Sequence, residues 1–216
     1  QKILKSFDNE NRFRTIPADR SESLRIDLTS NDYLGLGAKW KDYADEFGRR
    51  YPDASFSSSA SRLLSQRQIH HEHLENLLSG LYGKGVLLFN SGYHANVGII
   101  QAINIPDTVF LCDKLIHASM IDGLMLAKAD FQRWRHNDIT SLGKLLEKHK
   151  DSTRCIVVLE SIYSMDGDLA PLRDIVDLKK TYPNMILYID EAHAFGTRGD
   201  RGLGLAEELG VIDDID

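Results

Sequence analysis

From Val86 onward the sequence changes its period again and again, and this alternation limits the fold more than any other feature. Val86–Phe89, Thr108–Leu111, Phe131–Arg135, Cys155–Leu159 and Met185–Ile189 are short apolar runs with the length and composition of strands. Between them Tyr93–Ala102, His117–Lys128, Ile139–Lys148 and Leu172–Tyr182 carry apolar residues at helical spacing. Asn137 or Asp138 is the cap of the third, and Pro171 opens the fourth. Parallel strands need a crossover between them, and a helix supplies it. Strict alternation with short connections therefore predicts the α/β class: a mostly parallel sheet with helices on both faces.

Each predicted strand runs into a polar loop, and in a parallel sheet those loops share one edge. The run Met185–Ile189 ends abruptly in Asp190 and Glu191, with His193 just beyond. Ligands of open α/β sheets bind at that carboxyl edge; a strand leading into an acidic surface loop reads the same way. Phe89–Tyr93 passes from strand through Gly92 into a helix start, which presents free amides and a positive dipole end to an anion. A plain helix cap by Asn90 or Ser91 gives the same pattern. Asp113–Ser119 places His117 past another strand end, either as a capping residue or as a functional one. Leu159–Asp168 repeats the arrangement, with Asp166–Gly167 as turn chemistry and serines able to donate. Loops of this kind converging with Asp190 and His193 point to one site.

Upstream, Gln1–Arg25 is polar, basic and weakly periodic. Ile26–Thr29 has strand character, Ser30–Gly37 is turn-rich, and Trp40–Phe47 has helical spacing that Tyr51–Pro52 ends. The expected division is an N-terminal arm and linker helix over 1–52 and a major domain over 53–216. Ser55–Ser61 is a run of small residues, suited to an anion or to plain solvation. His70–Leu81 reads as a helix with Leu74, Leu77, Leu78 and Leu81 on one face. At the other end, Val211–Asp216 resembles the approach to a further strand, so the sheet is expected to be incomplete at its C-terminus.

A chain of 216 residues with net charge −6 offers no basic footprint for nucleic acid or an anionic membrane. Cys112 and Cys155 sit inside apolar runs as reduced core residues, which favours a cytoplasmic setting. His70, His71 and His73 point in different directions on a helix and cannot share an ion, so no metal is expected. Asp190–Glu191–Ala192–His193 spells the acidic box of nucleic-acid-dependent ATPases. That chemistry needs a Gly-x-x-x-x-Gly-Lys-Ser/Thr loop, and Gly80–Gly85 lacks its spacing and its hydroxyl.

Several motifs together resemble the α-oxoamine synthases, pyridoxal-phosphate enzymes of the aspartate-aminotransferase fold (fold type I). They are Ser30–Leu36, Ser61–Ser65, His71 with Leu74–Glu75, Asn90–Tyr93, His117–Ser119, Ser161–Asp168 and Asp190–Gly204, in the family's order and spacing. The resemblance covers nearly all of the chain from about Arg14. It implies that Asp190 pairs with the pyridine nitrogen of pyridoxal phosphate and that His117 stacks on the ring. It further implies that His193 and Ser164 serve the phenolic oxygen, that Gly92 and Tyr93 hold the phosphate region, and that Asn31 and Arg14 approach substrate. The implied reaction is a decarboxylating condensation: an amino acid loses its α-proton, attacks an acyl thioester and loses carbon dioxide. Ser61–Ser65 points within the family to L-alanine and a pimeloyl thioester, on coenzyme A or a carrier protein. Sister enzymes take glycine or serine. The family's sites lie at homodimer interfaces.

Two differences from the family stand out. Ser57–Ser58–Ser59–Ala60 and Gln66 replace family glycines. The family's cofactor-binding lysine belongs to a segment beyond Asp216, and neither Lys84 nor Lys114 has a matching context, which makes a non-catalytic fragment or homologue the rival expectation. The chain is accordingly expected to bind pyridoxal phosphate at most weakly. Borohydride reduction in its presence should leave Lys84 and Lys114 unmodified; a stoichiometric reduced adduct on either, seen by mass spectrometry, overturns that expectation.

Overall fold

The computed structural model describes residues 29–54, 57, 60–64 and 69–216. Backbone proximity divides the chain into two units, Gln1–Tyr33 and Leu34–Asp216. The predicted arm Gln1–Arg25, including Arg14, lies outside the described residues, as do Ile26–Leu28 of the short strand, Ser58, Ser59 and Gln66. In the first unit, Asp32 N–H donates to Ser30 Oγ at 3.0 Å, a local turn of the kind its composition predicts.

The second unit opens with a 3-10 turn, Leu36–Lys39, and helices α1 (Trp40–Arg50) and α2 (Ile69–Tyr82). Strands and helices then alternate as α3 (Gly92–Ile103), β1 (Thr108–Asp113), α4 (Ala118–Leu126), β2 (Asp130–Trp134), α5 (Ile139–Lys148) and β3 (Arg154–Glu160). The series closes with α6 (Leu172–Lys179), β4 (Met185–Asp190) and the one-turn α7 (Leu205–Glu208). The four strands are all parallel, in the order β2-β1-β3-β4.

Alternation of side chains along the strands feeds two cores. Val109 and Leu111 of β1, Val157 and Leu159 of β3 and Leu187 of β4 pack on one face with Leu142 and Leu146 of α5 and Leu172 and Ile175 of α6. Phe110, Cys112, Ile156 and Val158 point the other way, to Ile100 of α3 and to Met120 and Leu124 of α4. Burying each such side chain stabilises the fold by roughly 1.5–3 kcal/mol relative to exposure. Helices thus cover both faces. Cys112 and Cys155 are free and buried, and burial pushes the Cys112 thiol up to about 12. Helices α3 and α4 cross closely at Gly123, where a side chain would lie 3.1 Å from the Asn96 carbonyl and 3.2 Å from Ile100 Cβ.

One expectation is corrected. Val86–Phe89 joins no sheet among the described residues. Its Leu88 N–H donates to Glu75 Oε1 at 2.9 Å, so a side chain on α2 takes the place of a neighbouring strand, and Leu87 is exposed. Glu75 also clamps Arg62 through both guanidinium nitrogens at 2.6 and 2.5 Å. Within Val211–Asp216, expected to approach a further strand, Ile212–Asp214 is a 3-10 turn. From it the Asp216 carboxylate accepts from Leu187 N–H at 2.9 Å and from Lys179 Nζ at 2.6 Å, so a side chain rather than a backbone ladder meets the edge of β4.

Glu191 holds the start of α7. Its Oε2 accepts from Leu205 N–H at 3.0 Å and from the Ser161 hydroxyl at 2.5 Å, and its Oε1 accepts from Ala206 N–H at 2.9 Å. The neighbouring Gly204 has φ 115° and ψ −171°, a conformation essentially confined to glycine. A Cβ there would meet the Glu191 carboxylate at 2.6 Å. Gly204→Ala should therefore destabilise the chain by about 2–4 kcal/mol, since backbone strain and loss of the carboxylate clamp act together. Urea unfolding measures this, and a midpoint equal to wild type would refute the clamp.

Candidate active site

The order β2-β1-β3-β4 places a topological switch between β1 and β3, because the chain steps outward to β2 in one direction and to β4 in the other. The loops after β1 and β3 flank that switch, and β4 lies beside β3. In register, Glu160 at the end of β3 pairs with Asp190 at the end of β4.

Asp190 is half-buried. Its Oδ1 accepts from Ala192 N–H at 2.9 Å, and its Oδ2 accepts from Asn96 Nδ2 at 2.9 Å. Asn96, 6% exposed on the inner face of α3, also contacts Ser119 Oγ at 2.9 Å and takes the Tyr188 hydroxyl on its Oδ1 at 2.7 Å. Burial and then the charge of Asp190 push the Tyr188 phenol well above its ordinary value, so it stays a donor. Ser119 Oγ lies 2.8 Å from His117 Nδ1, which also receives Ser119 N–H at 3.2 Å. His117 thereby caps α4, its backbone leaving the helix and its ring exposed.

The first turn of α3 opens on the same edge. Ser91 is its cap, with its Oγ accepting from His94 N–H at 3.2 Å. Gly92 and Tyr93 fill the first two helical positions, whose amides have no acceptor within a helix. The space beside Gly92 is open, with nothing within 4 Å of where a Cβ would stand. The Tyr93 hydroxyl donates to Asp122 Oδ2 at 2.9 Å, which holds the phenol above its usual range.

In the loop after β3, Ser164 N–H donates to Glu160 Oε2 at 3.1 Å. Glu160 is 3% exposed, and its Oε1 is buried with no hydrogen-bond partner. Burial above all, and then the charge of Asp190, raises its carboxyl, while the Ser164 amide and His117 pull it back. His193 is half-buried in the turn after β4. Asp190 and His117 are thus linked through Ser119 and Asn96, with Ser164 in the loop that follows the adjoining strand. Asn31 belongs to the first unit, where the Tyr33 hydroxyl donates to its Oδ1 at 3.4 Å.

Asn96, Ser119 as a linker, Glu160 and His136 carry no role in the sequence reading. Only Asn96 left a signal: it is polar and sits one turn before buried Ile100 on the apolar face of its helix.

A parallel sheet with its polar groups gathered at a switch point between β1 and β3, and helices on both faces, defines the cofactor-binding layer of a fold type I enzyme. The model for aminotransferase class I and II matches residues 25–213. The chain belongs to that family and, within it, to the α-oxoamine synthases. A Haemophilus influenzae protein provisionally named 8-amino-7-oxononanoate synthase is 43% identical over 99% of the chain and 59% of its own length. A Pasteurella multocida protein of the same provisional name is also 43% identical. The chain spans 59% of the length of these curated relatives. Among solved structures, a serine palmitoyltransferase from S. paucimobilis with bound PLP–myriocin superposes with TM-score 0.83 at 29% identity, covering 100% of this chain and 58% of that one. The 8-amino-7-oxononanoate synthase of Francisella tularensis gives TM-score 0.64 at 26% identity, over 86% and 50% of the two chains.

A charged cluster ties the site's loops together. Buried Asp113, at the end of β1, accepts from Leu115 N–H at 2.8 Å and Asn137 N–H at 3.0 Å, and its Oδ1 meets His136 Nδ1 at 2.9 Å. His136 Nε2 meets Asp168 Oδ2 at 2.7 Å. The Tyr163 ring packs edge-on against the imidazole, with centroids 4.4 Å apart. Burial lowers the imidazole's pKa, but hydrogen bonds to Asp113 and Asp168 outweigh it and leave a net rise above 6.5. A histidine donating from both nitrogens is an imidazolium. Its stabilising effect is fully present below the unfolded value and disappears as pH rises through the higher folded value. The stability difference between wild type and His136→Gln should thus shrink as pH rises from about 5 to about 8, the range in which histidine switches. Urea unfolding across that range showing a constant difference would rule out the imidazolium.

Proposed function

We propose that the chain is the cofactor-binding part of a pyridoxal-phosphate-dependent acyltransferase that joins an amino acid to an acyl thioester with loss of carbon dioxide. L-alanine and a pimeloyl thioester, on coenzyme A or a carrier protein, are the proposed substrates, and 8-amino-7-oxononanoate, in biotin biosynthesis, is the product. The observation that carries this reading is the half-buried Asp190 carboxylate at the end of β4, aimed by Asn96 and linked to His117 across the switch point.

The residues present fit the cofactor. Asp190 can accept only, which suits a protonated ring nitrogen. The open ground beside Gly92 and the uncommitted first-turn amides of α3 suit a phosphate. Pyridoxal phosphate supplies an electron sink for the carbanion left when the amino acid loses its α-proton. Asp190 supports that sink by keeping the ring nitrogen protonated. His117 covers a ring face and excludes water from it, and Ser164 and His193 orient the phenolic oxygen. Arg14, with its forked donors, and Asn31 meet the substrate, Arg14 through a carboxylate. The whole protein is proposed to work as a homodimer in the cytoplasm; no described helix is long and apolar enough to cross a membrane.

A second reading exchanges alanine for serine or glycine. The 34% identity and TM-score of 0.74 to the Sphingomonas wittichii serine palmitoyltransferase favour it, over 87% of this chain and 47% of that one. In the full-length protein, L-alanine with a pimeloyl thioester should shift the cofactor absorbance and release carbon dioxide. Turnover with serine or glycine and none with alanine would reassign the substrate. His117→Ala should weaken cofactor binding by about tenfold, as expected when one good contact is lost; unchanged spectra and affinity would remove His117 from the site.

A further inference from the structure

The directions of the hydrogen bonds around Asn96 are fixed from one end. A carboxylate accepts and cannot donate, so the Asn96 atom facing Asp190 Oδ2 is Nδ2, and Oδ1 faces the Tyr188 hydroxyl. A flipped amide would set oxygen against carboxylate at 2.9 Å. The second Nδ2 hydrogen then goes to Ser119 Oγ. Having accepted it, the buried Ser119 hydroxyl sends its own hydrogen to the remaining neighbour, His117 Nδ1. That nitrogen also receives Ser119 N–H. With two donors aimed at it, Nδ1 carries no proton, and the ring proton sits on Nε2.

We propose that Asn96 is a positioning residue that sets both ends of the site at once, holding the Asp190 carboxylate in place and, through Ser119, locking His117 as its Nε2–H tautomer. The role assigned to the two ends rests on the cofactor reading above; the tautomer does not. The two inner links are buried side chains. Asn96 is pinned between Tyr188 and Asp190, and Ser119 is fully buried on α4, which Gly123 allows to press against α3. Such partners of partners commonly control the orientation and proton location of a functional imidazole.

Nitrogen-15 labelling of histidine in the full chain reads the tautomer directly. The His117 signal is assigned by its loss in His117→Gln. Wild type should show His117 Nδ1 as an unprotonated nitrogen and Nε2 as a protonated one at neutral pH. Asn96→Asp puts an oxygen where the donor stood and sets two carboxyl groups side by side that share one proton, so Ser119 no longer receives a hydrogen there, and its hydroxyl turns toward the new oxygen and abandons His117. The Nδ1-protonated population should rise, and pyridoxal phosphate affinity, followed by absorbance titration, should fall about tenfold, the size of a lost hydrogen bond to a charged group. Ser119→Ala removes the hydroxyl that joins Asn96 to His117 and leaves the Asn96–Asp190 bond in place. It should move the Nδ1 resonance, and it decides the tautomer question alone if circular dichroism shows Asn96→Asp unfolded. A wild-type His117 protonated on Nδ1, or an Nδ1 resonance unmoved in the folded variants, overturns the relay. Cofactor affinity unchanged in folded Asn96→Asp overturns the positioning of Asp190. A full-length protein that shows the expected tautomer and its shifts yet takes up no pyridoxal phosphate refutes the cofactor reading and leaves the relay standing.

Discussion

A carboxylate half-buried at the end of a strand needs donors, and for Asp190 they are the Ala192 amide and the Asn96 side chain. The second of these has the wider consequences. For Asn96 to reach Asp190, α3 must lie flat on the face of the sheet formed by Phe110, Ile156 and Val158. For it also to reach Ser119, α4 must pack tightly against α3, which the missing side chain at Gly123 permits. The polar chain from Asp190 to His117 is thus a product of apolar packing. Its middle members, Asn96 and Ser119, are buried, so an unmade bond there would be costly.

The parallel sheet explains why the polar residues meet at all. Four strands pointing one way deliver Asp113, Trp134, Glu160 and Asp190 to one edge. The loops that follow are held by local anchors. His136 bridges Asp113 and Asp168, Glu160 takes the Ser164 amide, and Glu191 folds away from Asp190 to start α7. Two adjacent carboxylates in one sequence motif therefore do different work, one facing the candidate site and the other fastening the turn beyond it.

The motifs read from the sequence were those whose signal is local. Strands β1, β2, β3 and β4 and helices α3, α5 and α6 announce themselves through periodicity and caps, and Asp138 does cap α5 by accepting from Ser141 N–H at 2.9 Å. Val86–Phe89 misled because an apolar run satisfies the composition of a strand without guaranteeing a neighbour to pair with. At the other end, the Asp216 carboxylate meets the β4 edge by accepting from Leu187 N–H. Asn96 and His136 escaped notice because their partners lie 94 and 32 residues away, at Asp190 and Asp168.

Sequence by itself determined the α/β class, the strand-to-loop transitions that carry His117, Ser164, Asp190 and His193, and the resemblance that the family match then supported. Those properties follow from residue order and from hydrogen bonds spanning a few positions. Only the tertiary structure decided which of these residues are joined, that Glu191 faces α7, that Glu160 is buried, and that Asn96 links Asp190 to His117. Such links depend on the register of β3 on β4 and on the closeness of α3 to α4. Both are settled by packing between segments far apart in the chain, where no local pattern records them.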